Sequence, residues 1–337
     1  MSRAHSLYRP LQIGNLKLEG NLFAAPLAGY TDRAFRTVCI ENGADLCYTE
    51  MVSCEALVRG NGKTEELLKQ ADAEKIYAVQ IFSGTAAAAG EAVKMVAQRK
   101  PVLIDLNCGC PVPKIIKSGA GSDLMRNPDR VYDIVRAMKD NTDIPITVKI
   151  RTGWDAQSLN YLDVAEKAVK AGAAVVTMHA RTKKQAYGGT ADWSHLSRLK
   201  KELGDLPVLG SGDLFTAENI RDMLEETGID GVMLARGVIG NPFLFRETKH
   251  LLTTSEILPP PTPMEKMQTA FRQLELAVHY KDERTAVNEM KKQLCAYTKG
   301  LPGSSEARNR MVHSESFETY KQIFSEYLGS FQDREID

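Results

Sequence analysis

The chain has 337 residues, 43% of them hydrophobic and 26% charged, a globular composition that excludes wholesale disorder. Forty-three basic and 43 acidic residues cancel, so no overall positive charge announces nucleic acid, although a local basic face is compatible with neutrality. No run approaches the ~20 apolar residues of a membrane span, and Met1–Pro10 lack the apolar stretch of a secretory signal, which points to a soluble cytoplasmic protein.

At ~150 residues per domain the length allows two domains, or one large α/β barrel with an appendage. Leu11–Leu18 reads as a small hairpin around Gly14-Asn15, placed to close the bottom of a barrel. Strands are then expected at Leu22–Ala25, Leu46–Thr49, Tyr77–Phe82, Val102–Asn107, Ile146–Ile150, Val175–His179, Val208–Gly210 and Gly231–Leu234. Most are continuously apolar, as in a parallel sheet buried on both faces. Helical stretches such as Ala86–Gln98, Val131–Lys139, Leu162–Ala171 and Ala217–Glu226 separate them, the last capped by Thr216. Eight strands in alternation with helices give a (β/α)8 TIM barrel over residues 1–250, with a doubly wound open sheet as the runner-up.

Beyond His250 the pattern changes. Pro259-Pro260-Pro261, with Pro263 just beyond, reads as a stiff linker that cannot continue a helix. Met264, Met267, Phe271, Leu274 and Val278 then recur at helical spacing, as do Phe317, Tyr320, Phe324, Tyr327 and Phe331. A small all-helical domain is expected over 258–337. Between Lys266 and Arg310 basic residues outnumber acidic ones, and the balance reverses after Met311.

Barrel active sites form at the C-terminal strand ends, and nearly every expected strand delivers a polar or glycine-rich end there. The first ends Ala25-Pro26-Leu27-Ala28-Gly29. The third carries Gln80, the fourth ends Asp105-Leu106-Asn107-Cys108-Gly109-Cys110-Pro111, and the fifth ends with Lys149 and Arg151. His179 and Arg181 close the sixth, Gly210-Ser211-Gly212-Asp213 the seventh and Ala235-Arg236-Gly237 the eighth. This concentration argues for an enzyme.

The last two ends suit a phosphate: Gly210 and Gly212 let backbone N–H groups approach its oxygens, and Arg236 can complete the clamp. The alternative is two ordinary tight turns. As a Rossmann fingerprint the segment fails, because Phe215 stands where the third glycine belongs. Lys149 is either a rim lysine or a cation beside a reduced flavin, stabilising charge on its pyrimidine side. His179 is a core histidine or a site residue, and Arg181 two positions on favours the site. His195 reads as structural. Cys110, between Gly109 and Pro111, can donate a proton as a general acid, or act as a nucleophile if His179 serves as its base. A metal site on Cys108 and Cys110 ranks last for want of further ligands.

These residues resemble the tRNA-dihydrouridine synthases, most closely the bacterial B-type branch. The resemblance rests on Ala25–Asp32 (APLAGYTD), Asp105–Lys117 (DLNCGCPVPKIIK), Ser118–Arg126 (SGAGSDLMR) and Val148–Trp154 (VKIRTGW). His179-Ala180-Arg181-Thr182 with Gln185, Tyr187 and Gly189, Ala191-Asp192-Trp193, and Tyr297–Gly303 extend it over essentially the whole chain. It implies bound FMN, reduced by NADPH or NADH, that reduces the C5–C6 bond of particular tRNA uridines. Hydride goes to C6 and Cys110, the cysteine preceding Pro111, protonates C5. By motif, Pro26, Leu27, Ala28, Gln80 and Lys149 contact the flavin ring, with His179 beside it. Ser211, Gly212, Asp213, Ala235 and Arg236 hold the ribityl phosphate, and Asn107, His179 and Arg181 lie near the uracil. Cys108 stands where the family often has Met, Ser211 replaces a usual Asn, Ala235 a usual Gly, and Gln293 and Ala296 replace His and Trp.

A uracil stacked in folded RNA must be flipped out to reach a barrel mouth. Lys291, Lys292, Lys299, Arg308 and Arg310 in the helical domain are placed to grip the phosphate backbone. The expected partner is tRNA, with no membrane, no obligate protein partner and a monomeric chain. Two other readings compete: an FMN barrel acting on a free pyrimidine, of dihydroorotate or dihydropyrimidine type, and a non-catalytic RNA-binding protein on a retired barrel.

Overall fold

The computed structural model describes residues 6–332. Met1, Asp337 and the Phe331 side chain, all named in the expectations above, lie outside the described residues.

Strands β1 (Leu11–Ile13) and β2 (Leu16–Leu18) form the expected antiparallel hairpin, and Gly14 takes the positive φ its turn requires. Strands β3 (Leu22–Ala24), β4 (Leu46–Cys47), β5 (Val52–Ser53), β6 (Ala78–Phe82), β7 (Leu103–Asn107), β8 (Ile146–Arg151), β9 (Val175–His179), β10 (Val208–Ser211) and β11 (Gly231–Leu234) build one parallel sheet. The sheet closes on itself. Strand β11 pairs with β3, Val232 opposite Leu22 and Leu234 opposite Ala24. The chain leaving β4 bridges Tyr48 to Ala78, and the Thr49 N–H donates to the Ala78 carbonyl at 2.9 Å, which joins the second strand unit to β6. The result is a ring of eight strand units, the (β/α)8 barrel. Strand β5 is an addition on the edge of β6 that the sequence did not reveal, because two residues are too few to set a hydrophobic period.

Both faces of the strands are buried, which is why their runs read as continuously apolar. Helices begin where side-chain caps stand ready: Thr85 accepts from the Ala88 N–H before Ala86–Ala97, and Thr216 from the Asn219 N–H before Ala217–Thr227. Leu11, Ile13 and Leu18 of the hairpin pack on Phe23, Leu46, Ala78, Leu103, Val175 and Met233. Several of these open their strands, so the hairpin seals the N-terminal mouth and leaves only the opposite one accessible.

Pro259–Pro261 lie in an irregular segment. Pro263 does not belong to it, contrary to expectation. It opens the helix Pro263–Tyr280, where Thr262 and Glu265 form a capping box. At the first helical position the missing N–H costs nothing. The helices Glu283–Tyr297, Ser304–His313 and Phe317–Gln332 follow. They share a core with the first helix to a degree that includes Ala34 and Val38 of the barrel helix Arg33–Glu41. Within that core Gln273 donates to Gln293 Oε1 and accepts from the Tyr297 hydroxyl.

A polar clasp joins the helical region to the barrel. Lys281 pairs with Asp32 at 2.6 Å and with Glu289, and the Arg33 guanidinium lies 4.2 Å over the Tyr280 ring. Nearby, a Cβ added at Gly240 would sit 2.6 Å from the backbone of Ala296 and Tyr297, so barrel and helices touch without room for a side chain. Among the described residues no helix is long and apolar enough to cross a membrane.

Candidate active site

The open mouth of the barrel holds a cavity of about 470 Å³, within the size range of cofactor sites. Its floor rests on a hydrogen-bonded chain that starts inside the barrel. Asp105 on β7 is fully buried and accepts from Thr147 Oγ1 at 2.5 Å and from Gln80 Nε2 at 2.7 Å. Gln80 Oε1 accepts from Asn107 Nδ2 at 2.7 Å, and Asn107 Oδ1 accepts the backbone N–H groups of Gly109 at 3.0 Å and Cys110 at 2.9 Å. The Cys110 carbonyl is held in turn by the Ser122 N–H and hydroxyl. The Cys110 backbone is thus held on both sides at the cavity wall.

Burial pushes the Cys110 thiol above its ordinary range, against weaker opposing effects of the Val112 backbone, Arg151 and Lys149. It holds its proton at neutral pH. Lys149 lines the same cavity, and its ammonium donates no hydrogen bond among the described residues. Burial, assisted by Arg151, lowers it to about 8, with Asp105 and Cys110 opposing. His179 is lowered to about 2 by burial and then by Lys149, Arg151, Arg181 and Arg236. Neither shift favours proton transfer from the thiol to the imidazole, and no hydrogen bond joins Cys110 to His179 among the described residues, so the arrangement does not favour them as a nucleophile–base pair. Cys108 is fully buried and its thiol is raised by burial. No cluster of three metal-ligating side chains occurs among the described residues.

Across the cavity, the loops after β10 and β11 carry the anion-type features. The backbone N–H groups of Gly212 and Asp213 donate to nothing else among the described residues. A Cβ at Gly212 would lie 2.8 Å from Ala191 Cβ, and one at Gly237 would lie 2.0 Å from the Leu214 carbonyl oxygen. Arg236 sits 4.5 Å over the exposed Tyr187 ring and 5.4 Å from Phe215.

The sequence profile of the dihydrouridine synthase family matches residues 23–331. A probable tRNA-dihydrouridine synthase of Treponema pallidum is 43% identical over 328 residues, covering 95% of this chain and 96% of that one. The tRNA-dihydrouridine synthase B of Shewanella oneidensis is 36% identical over 78% of this chain and 82% of its own length. The chain belongs to the dihydrouridine synthase family. The fold is also that of a solved 2-naphthoyl-CoA reductase complex, with a TM-score of 0.56 at 12% identity over 73% of this chain. A histamine dehydrogenase from Rhizobium matches equally, at 13% identity over 81%. The chain spans about half the length of those two solved proteins.

FMN fits this dihydrouridine synthase. Among the described residues, Lys149 offers an ammonium without a hydrogen-bond partner at one end of the cavity, while the unpaired N–H groups of Gly212 and Asp213, glycine-shaped space and Arg236 stand at the other. Of the residues singled out in the sequence, Pro26, Leu27, Ala28, Gln80, Asn107, Cys110, Lys149, His179, Ser211, Gly212, Asp213, Ala235 and Arg236 all line it.

Three expectations for this dihydrouridine synthase need correction. Arg181 does not reach the cavity. The Arg181 N–H donates to the His179 carbonyl at 2.7 Å, a tight turn that breaks strand alternation, so the side chain dives beneath the loops. There it bonds both Asp213 oxygens at 2.7 Å and the carbonyls of Gly188 and Gly189. The Asp213 carboxylate is consequently engaged with Arg181, the Ala191 N–H and, at 3.6 Å, Arg236, leaving its own backbone N–H for a ligand. Gly210 faces outward, where a Cβ would meet Ile229 and Met223 within 2.7 Å; it is a packing glycine. Arg151, assigned no role from sequence, does line the cavity, with its Nε on the Gly109 carbonyl at 2.7 Å. Its spacing of two from Lys149 along β8 was the available signal. Tyr187 and Phe215, 51% and 46% exposed, complete the rim.

The lysines of the helical region lie apart. Lys292 reaches the mouth, 4.3 Å over the ring of Tyr30, a lining residue. Lys291 is half-buried and Lys299 exposed, and neither forms an ion pair among the described residues. Arg310 is paired with Glu326 at 2.6 Å, and Arg308 is hydrogen-bonded to the Thr298 carbonyl. His195, read as structural from the sequence, is bonded to the Tyr161 hydroxyl at 3.1 Å.

Proposed function

We propose that this chain reduces the C5–C6 double bond of specific tRNA uridines to 5,6-dihydrouridine. The observation that carries the reading is one cavity lined both by Cys110, whose backbone N–H and carbonyl are held and whose thiol is kept protonated by burial, and by Lys149, whose ammonium donates no hydrogen bond among the described residues, in a chain of this family. FMN, when bound, supplies a hydride for uracil C6 and is re-reduced by NADPH or NADH.

Pro26, Leu27, Ala28, Gln80, Lys149 and His179 hold the ring system, with Lys149 countering negative charge on it. Ser211, Gly212, Asp213, Ala235 and Arg236 hold the phosphate, through backbone N–H groups and the guanidinium. Asn107 and His179 orient the uracil, and a neutral imidazole does so without placing a further charge beside Lys149. Cys110 donates its Sγ proton to C5, and the thiolate left behind regains a proton from solvent. The flipped uridine enters past Lys292 and Tyr30 while Lys291, Lys292 and Lys299 grip flanking phosphates. The helical region, residues 258–337, is read as the RNA-binding domain and residues 1–250 as the catalytic one. One chain supplies every residue of this reading, which supports a monomer, and a tRNA substrate fits a cytoplasmic protein.

Reduction of a free pyrimidine is the weaker reading, since it gives Lys292 at the cavity mouth no task and the relatives above are named for tRNA. The test is dihydrouridine formation on unmodified and cellular tRNA by wild type and Cys110→Ala, after recording flavin absorbance. Both proteins yellow, with product from wild type alone, is the expected result. Both yellow with no product from either refutes the tRNA substrate.

A further inference from the structure

The chain beneath Cys110 has a direction, and the two carboxamides between its ends do not set it. Gln80 and Asn107 carry carboxamides, each with a donor end and an acceptor end of nearly the same shape. Either can rotate by half a turn and still fill its space. Gly109 and Cys110 present two N–H donors, so Asn107 must turn its oxygen to them and its nitrogen to Gln80. Gln80 must then turn its oxygen to Asn107 and its nitrogen to Asp105. An ionised carboxylate accepts at both oxygens and donates at neither, and Asp105 does accept at both, from Gln80 and Thr147.

We infer that Asp105 is a positioning residue whose carboxylate locks the Gln80–Asn107 chain in the polarity that the Gly109 and Cys110 N–H groups demand, and thereby supports the placement of Cys110. A neutral side chain would fill the barrel interior with less desolvation cost, so the carboxylate is the more informative choice there. Burial raises Asp105 to about 6, opposed by Gln80, Thr147 and Lys149, and the group is still mainly ionised at neutral pH. The inference rests on the reading of Cys110 as the proton donor, but its test does not require turnover.

That test is a suppressor pair. In Asn107→Asp the new carboxylate accepts the two backbone N–H groups and demands a donor from Gln80. Gln80 then turns its oxygen against Asp105, where no proton lies between them. Adding Asp105→Asn supplies that proton, from its Nδ2 to Gln80, while its oxygen still accepts from Thr147. The double variant runs the chain from the opposite end. The readout is iodoacetamide alkylation of the FMN-loaded enzyme, followed by mass on the Cys110 peptide. Asn107→Asp is expected to speed alkylation on the order of tenfold, as for a buried polar group left without a partner, and Asp105→Asn in the same chain to restore protection. Asp105→Leu, which removes both acceptors, should also expose the thiol. If Asn107→Asp loses FMN, regain of FMN and of protection in the double variant is the supporting result.

Three outcomes overturn the inference: Asp105→Leu alkylating like wild type, Asn107→Asp alkylating like wild type, or the double variant remaining as open as Asn107→Asp. A wild type that protects Cys110 yet makes no dihydrouridine would sink the functional reading and leave this one standing.

Discussion

Arg181→Met separates two accounts of one arginine. If the guanidinium touched uracil, its loss would weaken substrate binding and leave the protein otherwise whole. The geometry gives it a different task. It is 2% exposed at its side chain, bonds both oxygens of Asp213 at 2.7 Å, and ties down the carbonyls of Gly188 and Gly189. Removing one partner of a buried ion pair costs about 3–5 kcal/mol. Asp213 keeps 23% of its side-chain exposure and has Arg236 Nη2 at 3.6 Å from its Oδ1, so water and Arg236 offset part of that, and a loss of about 2–3 kcal/mol is expected. At roughly 2–4 °C per kcal/mol this lowers Tm by roughly 5–10 °C. The loop carrying Gly212 loosens with it, so FMN is lost more readily on dilution.

The pH dependence has a definite sign. Burial alone would raise Asp213, but the Ala191 N–H and Arg181 hold it below the usual carboxylate range. Its ion-pair stabilisation is therefore complete above about pH 4, the unfolded value, and disappears as pH falls through the lower folded one. The Tm gap between wild type and Arg181→Met should be full at pH 7 and narrow below pH ~4. Thermal melts of the FMN-loaded proteins with flavin fluorescence measure both effects. An unchanged Tm and flavin retention, with a raised KM for tRNA, would refute the brace and return Arg181 to the substrate.

Neutralising Lys291 and Lys292 together as Gln should weaken tRNA binding and reduce the salt slope of log K by roughly 1.5; an unchanged slope in filter binding would remove that face from the interface. Lys149 is charged below about pH 8, so reduction of the bound flavin by NADPH should slow as pH rises past that value. Lys149→Met should be slow throughout and lack that limb, and stopped-flow absorbance would show whether the limb survives instead.

The barrel was legible because a parallel sheet buried on both faces writes each strand as an apolar run, and because the odd polar residues fall at one end of those runs. Most of the cavity lining followed from that rule. It failed at two places: Arg181, two residues beyond the last paired position of β9, lies past a turn the alternation rule does not see, and Gly210 sits within β10 with its bare side outward. Pro263 was assigned to the linker because a proline stops a helix in one direction and starts one in the other. The Asp105–Gln80–Asn107 chain joins β7 to β6, so only the register between those strands, Gln80 opposite Asp105, brings it into view.

Asp32 carries a consequence for how the molecule is mechanically built. The same carboxylate caps the helix Arg33–Glu41, through the Phe35 N–H at 2.9 Å, and anchors Lys281 of the helical region. It also ends the loop that begins with Pro26, Leu27 and Ala28. Barrel and helices are therefore riveted at the cavity rim, far along the chain from the prolines that connect them. The run Pro259–Pro261 is a strap across a joint already bolted elsewhere, and a load that RNA places on the helices passes to the wall of the cavity before it stretches the strap.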